Sequence, residues 1–415
     1  LSLDVNKLSK IDVDQMYGIE IEEFPARIAE VALWLVDHQA NIALSDAFGQ
    51  IYNRIPLKKS PHIVHGNALR IDWREVIAPE DCTYVLGNPP FVGSKRLTPA
   101  QKEDVRYVFG NTDCVGVLDY VACWYRLCIN YSRGTQVRCA LVSTNSITQG
   151  EQVSALWPPL FADGLIIHFA HRTFEWESEA RGKAHVHCVI VGFGLCHTPN
   201  KTLFEYSTLR GAPQQRSVRQ INCYLIDAAN IAIPPRTRPI CNVKPMINGS
   251  IPSDGGHLLL SADEKARVIA AFPNIKPYIR EYIGAVGLIN GNTRHCLWLA
   301  DCPPDLIRNT PPILERLERV RATREASPKV PTQKKALYPS LFTEDRQPRS
   351  GNYLAFPRSS SENRRYIPIA YLSCDIIASN DIQFVPEATV YDFGVLTSVM
   401  HMAWLMTVSG RIKRG

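Results

Sequence analysis

No run of eighteen apolar residues occurs anywhere in the 415-residue chain, which excludes a membrane-spanning helix. The richest stretch, Ile28 to Val36, is broken by Glu30. The first residues also lack the order of a secretory leader, a basic start followed by an apolar run and a small-residue cleavage site. Twelve cysteines at irregular spacings in so long a chain do not read as a disulfide scaffold, and a reduced, cytoplasmic compartment is the default expectation. Nor is the chain short of apolar residues: 45% are hydrophobic and 21% charged, which excludes disorder and allows at least one large core. The length suggests two or three domains.

The net charge of +6 is modest until it is divided. Residues 1–196 hold 18 basic and 22 acidic side chains, whereas residues 197–415 hold 28 and 18. Within the basic half, Arg308 to Arg365 carries 13 basic and 6 acidic residues. Such a surplus attracts a polyanion such as nucleic acid, although a merely solvated surface has the same composition.

In the first half, short apolar strands alternate with helical spacing. Gln15 to Ile21 reads as a strand, and Glu23 to Gln39 follows as a helix with Ile28, Val31, Ala32, Leu35 and Val36 on one stripe and Pro25 in its first turn. Strands are expected at His62 to His65, Cys82 to Leu86, Val137 to Ser143, Leu165 to Phe169 and Ala184 to Phe193. Helices are expected near Pro99 to Phe109, Val117 to Asn130 and Gln149 to Phe161. This order predicts an α/β fold with a largely parallel sheet, in which ligands bind beyond the carboxyl ends of the strands.

Three of those ends carry chemistry. Gly18-Ile19-Glu20-Ile21 finishes a strand on an acid, where a carboxylate can accept both hydroxyl hydrogens of a ribose. The plainer alternative is a carboxylate favoured at a helix start. Next, Asn88-Pro89-Pro90-Phe91 follows a strand and Gly87. Two prolines fix the backbone and remove two N–H donors, leaving a stiff turn rich in acceptors. The Asn88 side-chain oxygen and the Pro89 carbonyl could each accept a hydrogen of a substrate amino group, with its lone pair aimed at an electrophile and Phe91 flat on the planar group. An ordinary Pro-Pro loop is the alternative, but the strand, glycine and aromatic around it make the pattern specific. Finally, Asn67, in His65-Gly66-Asn67-Ala68-Leu69, would sit beside both a bound cofactor and the held base, or be a simple polar turn residue. A metal site is not expected: alternation puts His185 and His187 on one strand face and Cys188 on the other, while Cys296 and Cys302 lie apart.

Together these segments resemble the γ-class N6-adenine DNA methyltransferases, and within them the MmeI-like, type IIL restriction-modification family. The resemblance rests on Gly18 to Ile21, Gly66 to Leu69, Gly87 to Gly93, Leu118-Asp119-Tyr120-Val121, and Phe169 to Trp176 with the strand Ala184 to Phe193. Further on, it rests on Ile289-Asn290-Gly291, Cys296 to Leu299, Ser361-Glu362 and Arg364 to Pro368, and then Met400 to Trp404 with Gly410-Arg411. It implies a Rossmann-like S-adenosylmethionine-dependent catalytic domain over 1–196, an α+β target-recognition domain over 197–390 and the start of a helical segment over 391–415. Family members open their sheet with a strand and a Gly-rich turn that this sequence lacks before Glu20, and Gly192-Phe193-Gly194 opens no helix. The expectation is a fragment that begins after the first cofactor motif, binds S-adenosylmethionine poorly alone and lacks the family's nuclease.

The implied reaction moves a methyl group from S-adenosylmethionine to the exocyclic amino group of an adenine flipped out of duplex DNA. The resemblance assigns Asn88, Pro89, Pro90 and Phe91 to catalysis and Glu20, Ile21, Asn67, Ala68 and Asn88 to the cofactor. Phe91 and Phe174 would stack on the target base, with Trp176 as substitute for Phe174 in the loop before the last hairpin. Arg358, Glu362, Arg364 and Arg365 would contact DNA, since arginine reads guanine edges and acids accept from cytosine. The charged helix Ile313 to Arg324 is expected to be a solvated or phosphate-facing surface. Expected partners are double-stranded DNA and other domains of one polypeptide, a nuclease or helical spacer. Two other readings stay open: methylation of protein glutamine or of RNA amino groups, and a DNA-binding module without activity.

Overall fold

Strand and helix alternate through the first part of the chain, as the period of the apolar residues requires. The structure, a computed structural model, describes residues 11–49, 60–110, 112–176, 186–361 and 364–409. Two units emerge, one running to Pro235 and the other from Arg236 to Thr407.

The first unit has eight strands: β1 (Tyr17–Glu20), β2 (His62–His65), β3 (Tyr84–Gly87), β4 (Arg138–Thr144), β5 (Ile166–Trp176), β6 (Val186–Gly194), β7 (Lys201–Tyr206) and β8 (Pro213–Val218). Its helices are α1 (Glu23–Phe48), α2 (Trp73–Val76), α3 (Pro99–Phe109), α4 (Ala122–Tyr131) and α5 (Gly150–Ala162). β1 and β2 pair in parallel, and the other six strands form a sheet in the order β3-β4-β6-β5-β7-β8. The sheet is mixed rather than largely parallel, because β5-β6 and β7-β8 are antiparallel pairs and β4 meets β6 antiparallel. Those last two strands also move the domain boundary. A break after Cys196 would sever β7 and β8 from their sheet, so the unit extends to Pro235. Cut there, the first unit holds 22 basic and 24 acidic residues and the remainder 24 and 16, which preserves the contrast in charge.

Local chemistry explains the helix ends. Thr98 and Gln101 form a reciprocal capping box on α3, with Pro99 at its first turn. α1 outruns its expected end at Gln39 and stops only where Gly49 takes a left-handed φ of 64°. Its apolar stripe departs from the amphipathic expectation: Ile28, Val31, Leu35 and Val36 are all at least half exposed, and only Ala26 and Asn41 are buried. The core lies instead under α4 and α5, where Tyr125 packs on Trp157 and Phe193 and all three side chains are fully buried. The Gly192-Phe193-Gly194 segment serves this packing. A Cβ on Gly192 would fall 2.0 Å from the Phe169 ring.

In the second unit the sheets are small: β10-β12-β11-β15 and β14-β13-β16-β9. Their strands are β9 (Ile247–Asn248), β10 (Leu259–Leu260), β11 (Ile279–Ile283), β12 (Arg294–Leu297), β13 (Asn352–Pro357), β14 (Ala370–Ser373), β15 (Ile377–Ala378) and β16 (Ile382–Pro386). The helix Pro311–Glu325 buries Ile313, Leu317 and Val320 at helical spacing. Its surface reading fails at Arg324, which has no exposed area and donates to the carbonyls of Pro252, Ser253, Lys335, Tyr338 and Leu341. The segment expected from residue 391 begins as a helix at Val390–Leu396, followed by Val399–Val408.

Candidate functional site

At the carboxyl end of β1, Glu20 stands opposite His65 in parallel register, and the Gly66 N–H donates to the Glu20 carbonyl at 2.8 Å. The residues read as cofactor-binding, Glu20, Ile21, Asn67 and Ala68, are thereby brought to one edge. The half-buried Glu20 carboxylate accepts from the Glu22 N–H at 3.2 Å. The Asn67 amide is firmly placed: its Oδ1 accepts from Leu69 N at 2.9 Å and its Nδ2 donates to Asp104 at 3.3 Å. Asp104, on α3, also accepts from Arg70 Nε and from the Tyr120 hydroxyl, each at 2.7 Å. Burial works to raise the Asp104 pKa, but the hydrogen bonds from Tyr120, Arg70 and Asn67 outweigh it and hold the carboxyl below its ordinary value. Burial, and then this carboxylate, push the Tyr120 hydroxyl well up.

The Asn88-Pro89-Pro90-Phe91 turn leaves β3 beyond the pair Gly87 and Leu141. Pro89 is buried, Phe91 half-buried and Asn88 exposed, so the amide faces outward from a stiff base. Behind the turn, Tyr120 N donates to the Val92 carbonyl at 2.9 Å, and Ser94 N donates to Asp119 Oδ1 at 2.8 Å. The second oxygen of Asp119 accepts from the Ser146 hydroxyl at 2.5 Å, just after β4. Two acids thus hold the rim. Asp104 joins the Asn67 turn to α3 and the segment before α4, and Asp119 joins the flank of the proline turn to the end of β4.

Phe174 lies within β5, past a bulge, and not in a loop as the sequence suggested. It shares a cross-strand row with Cys188 and Thr144. Its ring stacks on Tyr206 at 5.3 Å, with Trp176 and His171 near 6 Å and His171 flat on Phe204 at 4.1 Å. Phe91 and Phe174 rise from strands separated by β4 and β6. Asp104 and Tyr206 were missed in the sequence. Asp104 beside Glu103 looks like a solvated helix face, whereas the aromatic alternation of Phe204 and Tyr206 was a readable signal.

Arg358, Arg364 and Arg365 all fall between β13 and β14, and Arg358 is exposed at the end of β13. The Arg364 guanidinium reaches the Ser360 hydroxyl at 3.4 Å, and Arg365 lies 5.4 Å from the Tyr366 ring centre. Glu362 and His185 lie outside the described residues. Among those described, no three His, Cys, Asp or Glu side chains converge as metal ligands, and no helix is long and apolar enough to cross a membrane.

A family model described as the DNA-methyltransferase domain of MmeI matches residues 2–205, and one described as the MmeI target recognition domain matches residues 227–415. DNA methyltransferase A of Bacillus subtilis (strain 168) is 39% identical over 408 residues, which are 97% of this chain and 46% of that protein. The type IIL restriction-modification enzyme MmeI, solved in complex with DNA, superposes with a TM-score of 0.87 at 45% identity, covering 99% of this chain and 55% of that one. The chain spans about half the length of these relatives.

Proposed function

Since the chain belongs to the MmeI family and carries its DNA-methyltransferase and target-recognition domains, we propose that it is the methylating and sequence-reading part of a site-specific DNA methyltransferase in a restriction-modification enzyme. The methyl donor is S-adenosylmethionine and the acceptor is the N6 amino group of an adenine flipped out of the duplex. The carrying observation is the Asn88 to Phe91 turn, fixed from behind by Asp119 and Tyr120 beside the edge that holds Glu20 and Asn67.

The residues at that edge fit the cofactor. A half-buried carboxylate at a parallel strand end can accept ribose hydroxyls, and the braced Asn67 amide offers polar contact to a ring edge. Ile21 and Ala68 flank them, and Asn88 borders both ligands. When bound, the cofactor supplies a sulfonium-activated methyl group. The chain supplies orientation and charge placement. Asn88 Oδ1 and the Pro89 carbonyl accept the two amino hydrogens and draw the nitrogen lone pair out of the ring. Phe91 covers one face of the base and Phe174 the other, while its far side leans on Tyr206. No strong base is needed, since positive charge developing on nitrogen is met by two fixed oxygens. Arg358, Glu362, Arg364 and Arg365 read or grip the duplex. The partner is double-stranded DNA, together with further domains of the same polypeptide, and the setting is the cytoplasm.

The test is product analysis. The full-length protein is incubated with labelled S-adenosylmethionine and genomic DNA, and the nucleosides are separated. N6-methyladenine in one sequence context is the expected product; label in cytosine, in protein or in RNA alone overturns the proposal.

A further inference from the structure

The turn that follows β4 holds a side chain with no role so far. Asn145 is 8% exposed, yet its Nδ2 has no hydrogen-bond partner. A buried amide donor left unpaired costs about 1–3 kcal/mol, so it calls for an explanation, of which a ligand contact is one.

Its surroundings rule out slack. The Asn145 carbonyl accepts from the Thr148 hydroxyl at 2.8 Å, and the Ile147 carbonyl accepts from Trp157 Nε1 at 2.7 Å. Next door, the Ser146 hydroxyl donates to Asp119 Oδ2, on the carboxylate whose other oxygen takes the Ser94 N–H behind the proline turn. Asp119 therefore links the turn that carries Asn145 to the segment that follows the proline turn. Gly87 pairs in parallel with Leu141, so the proline turn and the turn that begins at Asn145 leave the same end of the sheet. Across the sheet, Thr144 is level with Cys188 and Phe174. The turn that carries this unpaired donor thus leaves the sheet between the strands from which the two rings rise.

The site needs such a donor. Pro89 and Pro90 have no N–H, so apart from the Asn88 amide and the Phe91 N–H the turn offers acceptors. They suit an amino group but leave the neighbouring ring nitrogen, an acceptor, unanswered. We infer that Asn145 is a base-binding residue whose Nδ2 donates to N1 of the flipped adenine, beside the amino group held by Asn88 and Pro89. The inference rests on the methyltransferase reading above and adds the group that recognises the ring.

The test uses the full-length protein and duplexes in which the target adenine is replaced by 1-deazaadenine, which has C–H in place of N1, or by 7-deazaadenine, which keeps it. The base is set opposite an abasic position so that pairing contributes equally. Wild-type kcat/KM should fall about tenfold on 1-deazaadenine, the loss of one hydrogen bond, and stay near the adenine value on 7-deazaadenine. Asn145→Ala should lose a similar factor on adenine and be indifferent to the 1-deaza change, with S-adenosylmethionine binding retained. Equal wild-type rates on adenine and 1-deazaadenine, or losses that multiply in the variant, overturn the inference. Should Asn145→Ala not fold, the wild-type comparison decides alone. Absence of transfer to adenine itself overturns the parent reading as well, whereas transfer indifferent to N1 overturns only this one.

Discussion

In the first unit two carboxylates, Asp104 and Asp119, join separate segments at the rim; in the second, two guanidiniums, Arg324 and Arg316, do comparable work beside the Gln347 amide. Asp104 gathers donors from Asn67, Arg70 and Tyr120, and Asp119 gathers Ser94 N and the Ser146 hydroxyl. Arg324 does the reverse, giving its N–H groups to five carbonyls, and Arg316 gives to the carbonyls of His257 and Leu259 and pairs with Glu264. The difference follows from what each region leaves unsatisfied. Loops at the end of a sheet, near helix starts, present spare N–H and O–H donors, which an acid collects. Turns such as 252–253 and 338–341, and the short helical turn at 335–337, point carbonyls at one place, and arginine, with five donors in a rigid fork, is the side chain that answers most of them. Part of the basic surplus of the second unit is therefore internal and unavailable to DNA.

The strongest test of that contrast is Arg324→Met. Removing a buried hub of five hydrogen bonds should cost roughly 3–5 kcal/mol and melt the second unit first, while the first still binds S-adenosylmethionine. Loss of both units together in calorimetry would show that the braces are not local. Next, Asn88→Ala should lower methyl transfer by about 10²–10³-fold while leaving DNA affinity, which depends on the basic unit, largely intact; methylation at the wild-type rate would remove Asn88 from catalysis. Asp104→Asn should cost about 1.5–3 kcal/mol and raise KM for S-adenosylmethionine more than it lowers kcat, since it loosens the Asn67 turn directly and reaches the proline turn only through Tyr120. A pure kcat effect would place Asp104 elsewhere in the mechanism. The smallest effect concerns pH. Burial holds His168 and His171 below the ordinary imidazole pKa, and the second unit has His295 similarly lowered. The unfolded chain binds these protons first, so stability is full above about pH 6.5 and declines as the pH falls below it. Melting followed from pH 7 to 5 should show the decline, and His171→Phe should lessen it in the first unit. A midpoint that rises on acidification would reverse the sign.

Short strands ending on Glu20, on Asn67 and on the Asn88 turn were legible, because a strand end and a proline pair are local features. The sheet's handling of β7 and β8 was not, since antiparallel addition at an edge has no period of its own. α1 misled for a different reason: a 3–4 spacing shows that one face is apolar, not that anything in the same stretch covers it. Asp104 and Arg324 were unreadable because a buried ion in a helix is spelled like an exposed one, and only the segments arriving from 34 and 72 residues away reveal the difference. Asp119 stood within a motif, but its two clients, Ser94 and Ser146, come from separate loops.

The strand that leads to the exposed arginines has a further consequence. From Tyr353 to Pro357 every side chain of β13 is buried, and Arg358 begins the connection to β14. Ile367 and Ile369 return to pack against Leu354 and Phe356, so it is exchanges at exposed positions such as Arg358 and Arg365 that spare the β13 core and alter mainly what the loop touches. Under the proposed function, substitution at those exposed positions would change what is recognised with the first unit unaltered. One hairpin thus separates the side chains that hold the fold from those that meet the surroundings.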